Sequence, residues 1–218
     1  MLKRKYDVLM FDMDGTIADT DPMLFETFKI LYAKYRNGKG KSKEEIYYFS
    51  GPPIRDTLKN EFPEVDQDIL FKEFHDISYS FYDTHIFPYP HCREVLKELK
   101  EEGFHLAVVT NKQHDLAVVV LKNLHLDDLF DYVVGFNDVS KGKPDKEGIM
   151  EAINHYGSDI SKALYVGDNA LDFYTAENAQ VDCCLVNWGP RVLPSDIYPK
   201  YKISSYLDLK EKVSEQGI

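Results

Sequence analysis

The sequence predicts an α/β protein with a Rossmann-like parallel sheet, helices on both faces of the sheet, and a small all-α domain inserted after the first strand. Apolar segments rich in Val, with little alternation, are typical of strands buried on both faces. Five such segments occur, at 6–11, 104–110, 132–135, 163–167 and 181–186. Helical patterns lie between them, and two of these, 92–102 and 146–156, end at a glycine. Alternating strands and helices indicate a parallel sheet.

The region from about Thr20 to Thr84 interrupts this alternation because it contains no convincing strand. Its apolar residues instead recur at helical spacing, in two stripes that can bury each other. The stripes are Leu24, Phe28, Leu31 and Tyr35, and Leu70, Phe74, Ile77 and Phe81. We therefore expect a helical domain over 19–87, inserted into an α/β core made of 1–18 and 88–218.

Composition excludes several classes of function. The 218 residues carry a formal net charge of −11, so a strongly basic nucleic-acid surface is not expected. Three cysteines without metal-site spacing indicate reduced, buried thiols. The apolar run at 8–11 is too short for the core of a signal peptide, and no run reaches the ~20 residues of a membrane span. We expect a cytoplasmic monomer or homodimer without nucleic-acid or membrane partners.

The most informative segment, 12–16, follows the first strand directly. Asp12 and Asp14 are two residues apart and point the same way if the strand continues. They would then share a site at the carboxyl end of the sheet, where open α/β folds bind ligands. Gly15 allows the sharp turn that this requires. The alternative is a polar loop in which Asp and Gly are only turn residues.

Three later segments follow the ends of other predicted strands. Thr110 and Asn111 offer a hydroxyl and exposed amides suited to phosphate, although either residue is equally suited to cap a helix. Lys143 could bind an anion, although alone it is more often a solvated loop charge. Asp168 and Asp172 add two carboxylates, and such hard oxygen ligands suit Mg²⁺, although this segment is also rich in turn formers. Four such segments at one sheet edge are an improbable coincidence.

These motifs resemble those of the haloacid dehalogenase superfamily, in the branch similar to phosphoglycolate phosphatases with a helical cap. The segment 12–20 matches the first motif of the family throughout, and Thr110 matches the second. Lys143 before a proline matches the third motif, and 167–172 matches the fourth. Trp188-Gly189 corresponds to a pair that is common after the fifth strand.

The sequence departs from the family pattern at three positions. Lys146 stands where a second proline is usual, and Gln180 stands where a glycine commonly follows the helix of the fourth motif. His91 replaces a more usual glycine after Pro90. None of these positions carries a presumed catalytic group, so the departures affect the subfamily rather than the reaction class.

The resemblance implies a mechanism. Asp12 would be the nucleophile that forms an aspartyl-phosphate. Asp14 would protonate the leaving oxygen and then take a proton from the attacking water. Gly15, Thr110 and Asn111 would bind the phosphoryl oxygens together with Lys143.

The resemblance also implies a Mg²⁺ cofactor. Its ligands would be Asp12, the backbone carbonyl of Asp14, and Asp168, with Asp172 as a direct or indirect ligand. Dehalogenases of this superfamily use no metal and lack the second acid of the first motif, so Asp14 favours a phosphatase.

The inserted domain is expected to select the substrate, a small phosphorylated metabolite. The segment 51–55 resembles a cap loop of phosphoglycolate phosphatases and related pyrophosphatases, and Arg55 could clamp a carboxylate or a second phosphate. The alternative places Arg55 on a solvated helix face. A phosphoglycolate-like substrate is the leading hypothesis. The alternatives are an inorganic pyrophosphatase, a phosphomutase of the same fold, and a non-catalytic sensor of phosphorylated metabolites.

Overall fold

A computed structural model describes residues 4–214. Its strands are β1 Val8–Phe11, β2 Ala18–Asp19, β3 Phe87–Pro88, β4 His105–Val109, β5 Tyr132–Val134, β6 Ala163–Gly167, β7 Asp182–Val186 and β8 Tyr201–Ile203. Its helices are α1 Asp21–Arg36, α2 Lys43–Ile46, α3 Ile54–Glu61, α4 Gln67–Tyr79, α5 Cys92–Glu101, α6 His114–Asn123, α7 Glu147–Tyr156, α8 Ala170–Ala179 and α9 Tyr206–Val213. The main sheet has the order β5-β4-β1-β6-β7-β8, and every neighbouring pair is parallel.

The central strand β1 shows why the sheet is covered on both faces. Its four residues are all apolar and fully buried. Leu9 and Phe11 pack with α5, α6 and α9 on one face, whereas Val8 and Met10 pack with α7 and α8 on the other. The α/β class with a Rossmann-like parallel sheet is confirmed, and the central position of β1 brings its carboxyl end to the middle of the sheet edge.

Two parts of the sheet structure were not predicted. β8 and α9 extend the core beyond the fifth predicted strand, since β8 pairs with β7. β2 and β3 form a separate antiparallel ribbon, in which Ala18 pairs with Pro88 and Asp19 with Phe87. Strands of two or three residues are too short to give a periodic signal. The ribbon brings the two segments that lead into and out of the helical region side by side.

The helical region contains α1 to α4 and a separate apolar cluster. Phe28 lies at its centre and is fully buried against aromatic neighbours from other elements, with ring centroids 4.7 Å from Phe49 and 5.9 Å from Phe74. The two predicted stripes meet here, because α1 contacts α4. Phe81 differs from the expectation: it follows the end of α4 and packs on the α/β core. The domain boundaries at 18–19 and 87–88 stay a prediction.

Two of the departures from the family pattern retain a glycine-like backbone. His91 has φ 62° and Gln180 has φ 59°, which is the left-handed region. Both occupy helix ends, His91 before α5 and Gln180 after α8. The backbone conformation is thus kept although the side chain differs.

No helix within residues 4–214 is both long enough and apolar enough to cross a membrane.

Candidate active site

Asp12 continues β1 into the middle of the sheet edge. Its amide donates to the Val166 carbonyl of β6 at 2.9 Å, which fixes the backbone, and the residue is 1% exposed. The Lys143 ammonium lies 2.8 Å from Asp12 Oδ1. Burial raises the pKa of Asp12 to about 6, although Lys143 opposes the shift by favouring the charged form. Ionising this carboxylate is therefore costly even with Lys143 beside it, and a further cation would favour the charged form.

Lys143 is held from the backbone side by Asn111. The side-chain oxygen of Asn111, Oδ1, accepts from the backbone amide of Lys143 at 2.8 Å. Its side-chain nitrogen, Nδ2, donates to the backbone carbonyl of Lys143 at 3.3 Å. The same nitrogen donates to the Gly51 carbonyl of the helical region at 3.1 Å. The Asn111 side chain therefore positions Lys143 and also contacts the segment that carries Arg55. Binding of phosphate by Asn111 stays a prediction.

Asp172 anchors the other side of Lys143. Its Oδ1 lies 2.7 Å from the Lys143 ammonium and accepts from the Tyr165 hydroxyl at 3.2 Å. Its Oδ2 accepts from the amides of Asp168 and Asn169 at 3.0 and 3.2 Å, as the N3 residue of a capping box on α8. Burial alone would lower the pKa of Lys143, but Asp12 and Asp172 outweigh it and raise the pKa. Both Asp172 oxygens are thus occupied in holding Lys143 and the start of α8.

Asp168 is paired with an arginine that the sequence analysis missed. Arg191 Nη1 donates to Asp168 Oδ2 at 2.9 Å, and Nη2 donates to Asp21 Oδ1 at 2.5 Å. Arg191 Nε donates to the Tyr47 carbonyl of the helical region at 3.0 Å. Burial raises the pKa of Asp168 to about 8 against the opposing effect of Arg191. The only sequence signal for Arg191 is its position two residues after the Trp-Gly pair.

Gly15 explains how the first motif packs so closely against the fourth. It has φ 87°, and a Cβ at this position would lie 2.2 Å from Asp168 Oδ2. Any side chain would therefore displace Asp168. The Gly15 carbonyl accepts from Trp188 Nε1 at 3.1 Å, which gives the family-typical tryptophan a function in fixing this turn. Binding of phosphate by Gly15 stays a prediction.

Asp14 has a partner that was also missed. The Lys112 ammonium lies 3.0 Å from both Asp14 oxygens. Burial alone would lower the pKa of Lys112, but Asp14 and Tyr82 outweigh it and raise the pKa, so the ammonium stays charged. Thr110, 5% exposed, lies beside it and accepts from the Lys112 amide at 3.2 Å. Lys112 was visible in the sequence directly after Thr110 and Asn111, but nothing in the pattern distinguished it from a solvated lysine.

The donor set is suited to a divalent cation. Oxygen atoms of Asp12, Asp168 and Asp172 lie within 4.8 Å of one another, and all three residues are buried. Five carboxylates take part in the ion pairs at this edge, Asp12, Asp14, Asp21, Asp168 and Asp172. They face three cations, Lys112, Lys143 and Arg191. With all five carboxylates ionised, two negative charges are left over among these groups. A divalent cation with oxygen ligands would balance them and would favour the ionised forms of Asp12 and Asp168 against the effect of burial.

Comparison with known proteins gives the family. The model of the haloacid dehalogenase-like hydrolase family matches residues 9–186. The chain belongs to this family. A Caldanaerobacter subterraneus protein provisionally named pyrophosphatase PpaX is 34% identical over 94% of this chain and 91% of its own length. The pyrophosphatase PpaX of Halalkalibacterium halodurans is 32% identical over 85% of each chain.

Solved structures of the family confirm the fold. The structure of a haloacid dehalogenase-like hydrolase from Bacteroides fragilis has a TM-score of 0.85 at 24% identity, covering 94% of this chain and all of that one. A predicted phosphoglycolate phosphatase from Haemophilus somnus has a TM-score of 0.84 at 22% identity, covering 95% of this chain and 98% of that one. Such likenesses show the architecture alone.

A cavity of about 290 Å³ lies between the family core and the helical region, which we call the cap (α1 to α4 with their connections). Asp12, Asp14 and Thr110 line it from the core, and Arg55 lines it from the cap. The Arg55 side chain is 54% exposed, is 3.1 Å from Asp68, and lies with its guanidinium carbon 3.8 Å from the Phe71 ring centroid. Arg55 is thus at the rim of the cavity, already paired, and its contact with substrate stays a prediction.

Proposed function

We propose that this protein is a Mg²⁺-dependent phosphatase that hydrolyses a small phosphorylated metabolite through an aspartyl-phosphate. The main support for the proposal is that two carboxylates line one cavity and differ in burial and in the lysine with which each is paired. Asp12 is buried against Lys143, whereas Asp14 is more open and is paired with Lys112. A nucleophile and a proton carrier need this separation of tasks.

The proposed reaction has two balanced steps. In the first, Asp14 enters in its protonated form: an Asp12 oxygen bonds to phosphorus, the bond from phosphorus to the leaving oxygen breaks, and that oxygen takes the proton of Asp14. In the second, a water oxygen bonds to phosphorus, the Asp12–phosphorus bond breaks, and Asp14 takes the proton of the water. Thr110, the Asn111 amide and Lys143 would bind the phosphoryl oxygens as charge moves between them.

Asp12, Asp168 and the Asp14 carbonyl would hold Mg²⁺, which would neutralise charge between the carboxylates and the phosphate. Asp172 would support this site indirectly, because Lys143 and two backbone amides already occupy its oxygens.

Two compounds are candidate substrates and serve as references in the experiment below. Phosphoglycolate is the leading candidate, with Arg55 at the cavity rim as the candidate carboxylate ligand, although the resemblance of the cap loop suits pyrophosphate equally. Inorganic pyrophosphate is the second candidate, and the names of the relatives at 34% and 32% identity support it.

The decisive experiment measures phosphate release from a panel that contains both reference substrates, sugar phosphates, nucleotides and simple alkyl phosphates, with Mg²⁺ or with EDTA. Asp12→Asn should abolish release, since an amide is a poor nucleophile. Asp115→Asn is the matched control, because Asp115 is an exposed aspartate on α6 outside the cavity. Acid quenching during turnover should give a hydroxylamine-labile phosphopeptide that contains Asp12.

Release that needs Mg²⁺ and disappears only in Asp12→Asn would support the proposal. Release that is unchanged in Asp12→Asn would contradict it. Absence of release from every compound would favour a mutase or a sensor, and binding of the same panel would then be measured by calorimetry.

A further inference from the structure

The cavity above Asp14 differs from a site built for a small, wholly charged leaving group. Its volume of about 290 Å³ is near the lower end of the range, ~300–1,000 Å³, for sites that enclose small organic ligands. Most of its wall is apolar. Aromatic side chains come from both sides, with Phe71, Phe74 and Tyr82 from α4 and the residues that follow it, and Phe136 from the core. A second phosphate or a glycolate carboxylate would leave these faces without an apolar partner.

Both cations that line the cavity are already neutralised. Lys112 donates to both oxygens of Asp14, and Arg55 is paired with Asp68 at the rim. Asp56 adds a further carboxylate to the lining. Within residues 4–214, the leaving-group side of the cavity therefore presents no unpaired positive charge to a second anionic group. An anion at Lys112 would have to displace the Asp14 carboxylate before it gained a contact. Arg55 keeps further N–H donors, but it lies at the solvent-exposed rim, where an ion pair contributes little.

The polar atoms of the cap wall that lack partners are uncharged. His75 Nε2 and Ser50 Oγ are buried, belong to residues that line the cavity, and have no hydrogen-bond partner among the described residues. The His75 ring packs edge-to-face with Phe71, at 4.4 Å between centroids, so its unpaired nitrogen sits in an aromatic setting. Buried polar atoms without partners are costly unless a ligand or water satisfies them.

From the aromatic wall, the paired cations and the unpartnered polar atoms, we propose that the cavity binds an uncharged leaving group with a flat apolar part. One polar atom of this group would form a hydrogen bond with His75 Nε2. The substrate would then be the phosphate monoester of an organic alcohol of this kind, rather than pyrophosphate or phosphoglycolate. This inference rests on the proposed phosphatase function, and it adds the chemical class of the alcohol.

The test compares kcat/KM for benzyl phosphate and ethyl phosphate. Both are esters of primary alcohols with similar intrinsic reactivity, so their ratio reports binding of the aromatic ring. Enclosing a ring of this size is expected to favour benzyl phosphate by about 10- to 100-fold. Pyrophosphate and phosphoglycolate are measured in parallel and should be poorer substrates than benzyl phosphate.

Phe71→Ala removes one aromatic wall and should reduce the benzyl-to-ethyl ratio several-fold. Ile69→Ala is the matched control, since Ile69 is an exposed apolar residue of the same helix, 62% exposed and outside the cavity. Because the readout is a ratio within one preparation, partial loss of folded protein cancels from it.

The outcomes separate this inference from the proposed function. A high ratio that falls in Phe71→Ala and persists in Ile69→Ala would support the inference. Equal efficiency for the two esters, or higher efficiency for pyrophosphate or phosphoglycolate, would overturn it and leave a phosphatase. No release from any ester, with or without Mg²⁺, would overturn the phosphatase and this inference together.

Discussion

The core wall and the cap wall of the cavity differ in how their polar side chains are satisfied. On the core wall, Asp12 is paired with Lys143, which lies behind it and is held between Asp12 and Asp172 at 2.8 and 2.7 Å, and Lys112 is paired with Asp14. On the cap wall, His75 Nε2 and Ser50 Oγ have no partner within the described part of the chain. The core groups are organised before substrate arrives, whereas the cap groups are left for the substrate to satisfy.

The difference separates chemistry from selection. Phosphoryl transfer gains most from charges that need not reorganise during the reaction, and such charges must be paired and buried in the resting protein. Selection instead needs surfaces whose contacts are made only by the right leaving group. Four experiments test this difference: two on the core side, at Asp14 and with Mg²⁺, one at Arg191 between core and cap, and one at His75 of the cap.

The largest effect is expected on the core wall, at Asp14. Asp14→Asn keeps the size of the side chain but removes proton transfer, so kcat should fall by about 10²- to 10⁴-fold. The loss should be smaller for an aryl phosphate, since its leaving group needs less protonation. Asp115→Asn serves again as the exposed control. A loss below tenfold that does not depend on the leaving group would remove Asp14 from the proposed mechanism.

Arg191 connects the core to the cap: it donates to Asp168 of the core, to Asp21 at the start of α1 and to the Tyr47 carbonyl of the cap. Arg191→Met leaves two buried carboxylates without their cation, so the free energy of unfolding should fall by about 3–5 kcal/mol. Urea unfolding in EDTA, followed by tryptophan fluorescence and by circular dichroism, measures the change.

A double mutant tests whether the ion pairs are the cause. Adding Asp21→Asn to Arg191→Met removes one of the two unpaired charges, so the combined loss should be smaller than the sum of the single losses. Additive losses, or a loss in Arg191→Met below about 1 kcal/mol, would show that the ion pairs of Arg191 do not stabilise the contact between core and cap.

The core side of the site shows what could be predicted from the sequence. The residues of the core wall could be predicted because Asp12 and Asp14 directly follow a buried strand, and parallel strands bring their carboxyl ends to one edge of the sheet. The same rule applied to Thr110 and Asp168, which directly follow β4 and β6, and to Lys143, which lies in the longer connection after β5. The fold class followed from the same alternation of elements.

The rest depended on tertiary contacts that have no local signal. Arg191 reaches Asp21 across 170 positions of sequence, and Lys112 reaches Asp14 across 98. No periodicity encodes such pairs. The stripe of α4 was predicted, but the place of Phe81 on the core was not, because a helical repeat does not reveal where a helix ends. Likewise, His75 in that helix gave no indication that its ring lines a cavity.

Mg²⁺ should have a smaller effect on stability than Arg191 has. The two unmatched negative charges at the core wall favour a divalent cation in the folded state only, which at 100 times the dissociation constant contributes about 2.7 kcal/mol. For a chain of this length the melting temperature should rise by about 5–10 °C relative to EDTA. Asp168→Asn should abolish the rise, and Asp115→Asn should keep it. Equal melting curves in Mg²⁺ and EDTA would contradict a metal site at this edge.

The smallest effect concerns the cap wall and its dependence on pH. Burial, assisted by Lys112 and Arg55, holds the pKa of His75 below its ordinary value of 6.5. Above pH 6.5 the ring is neutral in both folded and unfolded chains, so it has no effect on stability through protonation. As the pH falls below 6.5 the unfolded chain takes up a proton first, and stability is lost until the folded pKa is reached.

The variant His75→Gln cannot take up this proton in the unfolded chain, so its stability should be less sensitive to acid than that of the wild type. The melting temperature of the wild type minus that of the variant should decrease between about pH 8 and about pH 5, while the carboxylates common to both cancel. His155→Gln, exposed on α7, gives the general effect of replacing a histidine. A constant difference would mean that folding leaves the pKa of His75 unchanged, which contradicts the prediction. A difference that increases toward acid would mean that the protonated ring gains a partner in the folded state. The cap wall would then be organised like the core wall, and its unpaired nitrogen would no longer be available to select a leaving group.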